Sequence, residues 1–288
     1  MSMEGSAMNE MILKKYHGLG NDYLVLDPHK NHFTLQTRNI EMLCRRNFGV
    51  GADGVLYGPL WEEEKIKVRI FNPDGSEAEC SGNGILIFAK YLLDQGYVSD
   101  KKITLETVSG KVFVEFLQED ARMMRVNMGK PAYAGKQLPM SGLEGEVVNA
   151  HLRFQDNLYN ATCLSVGTPN CVIMQEEVTS QKAKSLGPYV EQAAYFPNRI
   201  NMQLCKVQDR ANIIIEIYER GAGYTLASGT GACAAAAAAK RMDLVDDRVT
   251  VHMPGGSLLV EQEPDGDIYM TGIVEEVGTF TVAENFFA

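Results

Sequence analysis

The stretch Ser76–Phe88, SEAECSGNGILIF, is a serine- and glycine-rich loop that runs straight into an apolar helix pattern. Tyr224–Met242, YTLASGTGACAAAAAAKRM, says nearly the same thing again, with Ser228-Gly-Thr-Gly standing 147 residues after Ser81-Gly-Asn-Gly. The spacing recurs. GNDYLVL from Gly20 faces GTPNCVI from Gly167 at the same offset, and KITLETVSGKVFVEF faces RVTVHMPGGSLLVEQ at an offset of one residue less. VNMG ending at Gly129 then parallels YMTG ending at Gly272. Four ordered matches at a nearly constant offset read as two homologous halves.

Each half has the same grammar. Alternating or β-branched segments predict strands over Ile12–Lys15, Tyr23–Asp27, Lys67–Phe71, Ile103–Thr107 and Lys111–Phe116. Their counterparts are Ala161–Val166, Cys171–Met174, Ile213–Tyr218, Val249–His252 and Leu258–Glu261. A buried-looking helix follows each serine loop, over Gly84–Gln95 and Gly231–Met242, with one amphipathic helix before it. The expected fold class is α/β of the α+β type: two pseudo-symmetric domains, each a curved, mostly antiparallel sheet around a central helix. The halves are expected over 11–134 and 135–274, joined near Pro131–Gly145, with a final strand over 275–284 returning to the first. Residues 1–10, MSMEGSAMNE, read as a leader or cloning remnant.

The bulk numbers exclude several classes. A net charge of −10 with no local Lys/Arg cluster argues against nucleic acid. No apolar run is long enough for a membrane span. The six cysteines form no C-x-x-C pair and sit mostly in apolar runs, which fits buried thiols in a reducing, cytoplasmic compartment. No two of the five histidines have metal-ligand spacing, so no metal is expected, and His17 and His252 are as readily structural as catalytic.

Two similar domains create a cleft, a common place for a small-molecule site. Across it the two serine loops would face each other. Each opens a helix whose first N–H groups are unpaired and carry partial positive charge, while glycines admit a ligand close to the backbone. One such loop is most simply a capped helix start, serine being a favoured N-cap. Two at repeat-equivalent positions make an anion site for a carboxylate or phosphate. Neither loop is a P-loop, since the lysine is missing, and neither is a G-x-S-x-G nucleophile elbow. Asn72 stands just before the first loop and Glu219 and Arg220 just before the second, while GLGND supplies Asn21 and NRINM supplies Asn201. They suit a ligand with several polar groups, such as an amino acid carrying a second carboxylate. Asn72-Pro-Asp-Gly also reads as a β-turn, and FGVGADG over Phe48–Gly54 has no role that its residues alone supply.

From Ile12 to about Val282 the chain resembles the diaminopimelate epimerase family of cofactor-independent amino-acid racemases. The resemblance is carried by HGLGNDYLVLD, FGVGADG, FNPDGSEAE, GNG, ERGAG, GTGACAAA and PGG, in the family's order. It implies two domains with a substrate cleft between them and no pyridoxal phosphate or other cofactor. It also implies a two-base mechanism, in which one cysteine removes the α-proton and the other protonates the opposite face, and it leaves a homodimer open. The implied substrate is LL-diaminopimelate, converted to the meso form as a lysine and peptidoglycan precursor. Implied substrate contacts are Asn21, Asn72, Gly82, Asn83, Thr168, Asn201, Glu219, Arg220, Gly229 and Thr230.

At the two catalytic positions the chain departs from the family. Where the resemblance implies Cys-Gly-Asn-Gly and Cys-Gly-Thr-Gly, it has Ser81 and Ser228, and Cys80 is one residue out of register. A thiol at a helix N-terminus can ionise near neutral pH, whereas an aliphatic hydroxyl cannot. The expectation is therefore an inactive form made by paired Cys-to-Ser replacement, or else a naturally silent amino-acid-binding relative. Further departures are Thr168 and Asn170 in Gly-Asn-Pro-His, Tyr224 in Gly-Ala-Gly-Glu-Thr, and Leu86 and Ile87 after Gly-Asn-Gly. They leave another amino acid, such as histidine, as an alternative substrate.

Overall fold

The structure is a computed structural model, and it describes residues 11–31, 35–136, 138–283 and 285–287. The N-terminal leader expected over residues 1–10 lies outside the described residues.

The first half begins with an antiparallel pair, β1 (Met11–Gly18) and β2 (Asn21–Leu26). Helix α1 (Thr37–Cys44) then carries the chain over to β3 (Gly54–Glu62), which runs parallel to β2. β3 pairs antiparallel with β4 (Lys65–Phe71), and the short β5 (Glu77–Ala78) leads into α2 (Gly82–Asp94). Past α2, β6 (Lys102–Thr107) lies parallel to β4 and opens a meander with β7 (Gly110–Phe116) and β8 (Met123–Gly129).

The second half repeats this path. β9 (Ala150–Phe154) and β10 (Asn157–Ser165) form a hairpin, followed by β11 (Pro169–Met174) and α3 (Ser180–Glu191). β12 (Asn201–Asp209) then runs parallel to β11, and β13 (Asn212–Glu219) returns antiparallel. After β14 (Gly223–Thr225) and α4 (Gly229–Arg241), β15 (Arg248–Met253) lies parallel to β13. The meander β15, β16 (Gly256–Gln262) and β17 (Ile268–Ile273) closes the half. Parallel pairs thus fall at the same two places in each half, where a helix makes the crossover that a parallel connection requires. Even the register repeats: Tyr23 faces Gly54 as Asn170 faces Asn201.

The halves are joined by β8 pairing antiparallel with β17, and β18 (Glu275–Val282) pairs with β1. Between β8 and β9 the described residues form turns and one isolated bridge, Ala132 to Ser165. The repeat is also visible in the backbone: Gly20 and Gly167 both take positive φ, as do Gly110 and Gly256. Glycine is the residue that adopts this conformation without steric cost.

The two central helices are buried on nearly all sides, which explains their composition. α2 packs against β1, β2, β3, β7, β8 and β17 through Ile85, Leu86, Ile87 and Phe88, each at most 1% exposed. α4 packs against β10 to β13 and β15 to β17 through Ala232–Ala239. A helix enclosed by sheet must be apolar all round, and alanine lets the strands approach its axis. One apolar cluster runs through both helices and both halves.

The patterning leaves seven strands unread, namely β3, β5, β8, β9, β12, β14 and β17, and two of them show why. β3 contains Gly58–Pro59, which looks like a break, and its pairing with β4 shifts register between Tyr57 and Leu60. β12 begins Asn-Met-Gln-Leu-Cys, all buried, so no alternation marks it.

Candidate active site

α2 and α4 begin alike. Ser81 and Ser228 are their N-caps, with φ/ψ of −145°/118° and −145°/119°. Each Oγ accepts from the N–H three residues on, Gly84 and Gly231, both at 3.1 Å. A cap of this kind satisfies one orphan donor of the first turn, while the first N–H groups of each helix still lack an intrahelical acceptor. The two helix ends abut at glycine. A Cβ added to Gly229 would lie 3.0 Å from Gly82 Cα and 2.8 Å from Met270 Sδ. Only a residue without a side chain lets the two partial positive charges converge this closely.

In front of the paired helix ends lies a cavity offering about 50 Å³ to the centres of water-sized molecules. Of the candidate residues, Asn21, Asn72, Ser81, Gly82 and Thr168 line it, as do Asn201, Glu219, Arg220, Ser228, Gly229 and Thr230. Asn83 does not line it; buried behind the wall, it donates from Nδ2 to Asn21 Oδ1 at 3.1 Å. Thus β2, the β4–β5 turn, β12, the end of β13 and both helix starts converge on one place. The β-turn at Asn72 is present, with Gly75 N–H donating to Asn72 O at 2.9 Å and Gly75 at φ 77°.

The polar groups of the second half are tightly ordered. Ser228 Oγ–H donates to Glu219 Oε1 at 2.7 Å, and Thr225 Oγ1–H donates to Glu219 Oε2 at 2.8 Å. Burial pushes the Glu219 carboxyl above its ordinary range, and the two hydroxyl donors oppose that shift. Asn201 donates to Thr168 Oγ1 at 3.2 Å and accepts the Arg220 backbone N–H at 2.8 Å. The Arg220 guanidinium donates to Asn198 O at 3.1 Å.

Two polar side chains at the cavity, Tyr23 and Asp53, escape the sequence reading. Tyr23, read only as a strand residue, puts its hydroxyl 3.0 Å from Ser81 Oγ. Asp53 accepts from Asn21 Nδ2 at 3.0 Å and from Arg46 at 2.6 Å. Burial and the neighbouring Asp22 raise the Asp53 carboxyl, whereas Arg46 and Lys15 outweigh burial at Asp22 and pull it down. The FGVGADG loop therefore has a structural role, since it delivers Asp53 to fix the Asn21 amide. Cys80 shares the cavity wall with Ser81 but is buried, its thiol pushed up to about 11 by that burial. It also borders a wider groove of about 600 Å³, to which Arg220 contributes as well.

Of the departures other than Ser81 and Ser228, only Thr168 lines the cavity. Asn170 is fully buried behind it and accepts from Gln203 Nε2 at 2.9 Å. Leu86 lies in the core against Gly272, and Tyr224 donates its hydroxyl to Glu216 at 2.7 Å. Among the described residues no group of three or more His, Cys, Asp or Glu side chains is arranged to hold a metal ion, and no helix is long and apolar enough to cross a membrane.

Comparison with known proteins places this architecture. The family model described as diaminopimelate epimerase matches residues 13–134 and 162–277, covering both serine loops. Diaminopimelate epimerase 2 of Nostoc sp. is 43% identical over 276 residues, 95% of this chain and 96% of the relative. The diaminopimelate epimerase of Moorella thermoacetica is 38% identical over 91% of this chain and 96% of its own. Among solved structures, a probable proline racemase from Agrobacterium radiobacter superimposes with a TM-score of 0.69 at 16% identity, covering 96% of this chain and 94% of that one. That likeness concerns the fold. With the family pattern matched across both halves, and relatives this similar over nearly their whole length, the chain belongs to the diaminopimelate epimerase family and hence to the isomerases.

Proposed function

We propose that the cavity binds diaminopimelate and is built to interconvert its LL and meso forms without a cofactor, with positions 81 and 228 on opposite faces of the reacting carbon. The observation that carries this is the meeting of two identically capped helix ends at Gly82 and Gly229, with a hydroxyl on each side. In this reading the first-turn N–H groups of both helices receive the α-carboxylate. They stabilise the negative charge that grows there as the α-proton leaves. One residue takes the Cα–H proton, the other delivers a proton to the opposite face, and the electron pair waits on the carboxylate-stabilised carbanion. Arg220 and Asn72 grip the distal end.

With serine at both positions, neither group is acidic enough to supply a base near neutral pH, so the chain as written binds and turns over little or nothing. The test is Ser81→Cys with Ser228→Cys, assayed by NMR deuterium incorporation and circular dichroism on diaminopimelate, with histidine alongside. The double variant should epimerise diaminopimelate where the chain as written does not. Each single variant should exchange the α-proton of one stereoisomer, and the two should prefer opposite ones. A double variant that binds the amino acid yet exchanges no proton would sink the two-base reading.

A further inference from the structure

We propose that Tyr23 is a positioning residue for the acid–base group at position 81, donating its phenolic hydrogen there and so poising position 81, rather than 228, as the resting base. The inference rests on the two-base reading above.

The geometry is asymmetric. Ser81 Oγ accepts from Gly84 N–H at 3.1 Å and has the Tyr23 hydroxyl at 3.0 Å. Against a serine either hydroxyl could be the donor. Against a thiolate only one direction remains, O–H to sulfur, and the phenol then joins the Gly84 N–H in stabilising negative charge. The repeat places Asn170 where the first half has Tyr23, and its amide oxygen is occupied by Gln203. Ser228 instead has a carboxylate at 2.7 Å and gives its hydrogen to it. A donor partner favours the ionised form of a group, and an acceptor partner favours the protonated form. Tyr23 and Glu219 thus push the two positions apart, as an acid and a base must be.

The other charged or titratable groups facing position 81 do not reproduce this effect. Cys80 is its chain neighbour and is buried. Asp53, Glu219 and Arg220 line the same cavity; the two carboxylates disfavour negative charge at 81 and the guanidinium favours it. Burial holds the Tyr23 phenol well above its ordinary range, so it stays a neutral donor across the working pH.

The test needs no substrate. The pH dependence of iodoacetamide alkylation is measured on Ser81→Cys with and without Tyr23→Phe, and on Ser228→Cys with and without Tyr23→Phe. The chain as written is the blank for its own buried cysteines. Tyr23→Phe should raise the apparent thiol pKa at 81 by about one unit, a roughly tenfold loss of thiolate near neutral pH. It should leave the thiol at 228 unmoved. Incorporating 3,5-difluorotyrosine at position 23, a stronger donor of the same shape, should move the pKa at 81 downward. An unmoved pKa at 81 in a normally folded Tyr23→Phe protein overturns the inference, as does an equal shift at both positions. Failure of the two-base reading would appear separately, as absent proton exchange in the double-cysteine protein.

Discussion

Ser81 and Ser228 share a backbone conformation to within a degree and cap their helices through equal contacts, yet their oxygens meet different chemistry. On the first side stand a phenol and Asn72; on the second stand Glu219, Thr225 and a buried amide pair, Asn170 and Gln203. The repeat preserved what the backbone must do, which is to aim two helix ends at one point. Side chains one layer out were free to diverge, because the capping geometry does not depend on them. Symmetric backbone with asymmetric partners is what a ligand of unlike ends requires.

The contact between the halves should break most completely at Gly229. Gly229→Ala drives a methyl against Gly82 Cα at 3.0 Å and Met270 Sδ at 2.8 Å. Overpacking of this kind costs about 1–3 kcal/mol. Parting the helix ends should also weaken diaminopimelate binding by at least about a hundredfold, on the scale of roughly 1.4 kcal/mol per decade. Gly82→Ala meets Gly229 Cα at 3.1 Å and only the terminal methyl of Met270, so it should be the milder of the two. Calorimetric binding and thermal melts of both variants check the order, and equal, small effects would mean the ends do not need to touch.

Arg220 stands in the second half with no charged counterpart at the repeat-equivalent position 73, which is proline. Arg220→Met should weaken diaminopimelate binding about tenfold to a few hundredfold, since charged hydrogen bonds to a carboxylate contribute roughly 1.5–3 kcal/mol. A simple monocarboxylate amino acid should lose less. Equal losses, measured by titration calorimetry, would remove Arg220 from the distal end.

The partners themselves differ in pH response. Glu219 has a carboxyl raised by burial, whereas its counterpart Asn72 does not titrate. A raised carboxyl binds its proton more tightly in the folded chain. Its contribution to stability is therefore fully present below its ordinary value of about 4.5 and is lost as pH rises through the folded value. Glu219→Gln removes this loss. The melting temperature of the variant relative to the parent should become more favourable as pH rises from below 4.5 towards neutrality. Asn72→Ala should show a constant difference over the same range. A flat difference for Glu219→Gln would mean that the hydroxyl donors cancel the effect of burial.

The smallest effect is expected at Cys80, the native thiol that borders the cavity beside position 81. Burial pushes it up to about 11, so it carries no charge in the working range. In the Ser81→Cys, Ser228→Cys background, Cys80→Ala should change proton exchange by less than about threefold, within the roughly ±0.5 kcal/mol typical of a substitution outside the chemistry. A larger loss would make Cys80 part of the acid–base apparatus.

How much of this was legible in the sequence follows from what leaves a periodic or local mark. The serine loops, the two buried helices and ten strands show in the pattern because apolar periodicity and capping are local properties. β3 and β12 are among the strands that do not, since one carries Gly58–Pro59 and the other buries Asn201 and Gln203. Asn72, Glu219 and Arg220 were found by their nearness to the loops, whereas Asn21, Thr168 and Asn201 lie tens of residues away and came from polar motifs and the family resemblance. Tyr23 read only as a strand residue and Asp53 only as part of a glycine loop, and the parallel pairing of β2 with β3 brings them together at the site. Asn83 has the right neighbourhood but points at Asn21, as the first turn of a helix must send successive side chains in different directions.

The sequence alone determined the two-fold repeat, the helix-capping serines and the family, because these reside in order, spacing and residue type. Tertiary structure alone decided which atoms touch each serine. It brought the two glycines into contact, set a phenol against one hydroxyl and a carboxylate against the other, and buried Cys80 so that its thiol stays protonated. The reason is physical: acidity and hydrogen-bond partnership depend on burial and on distances of about three ångströms between residues far apart in the chain.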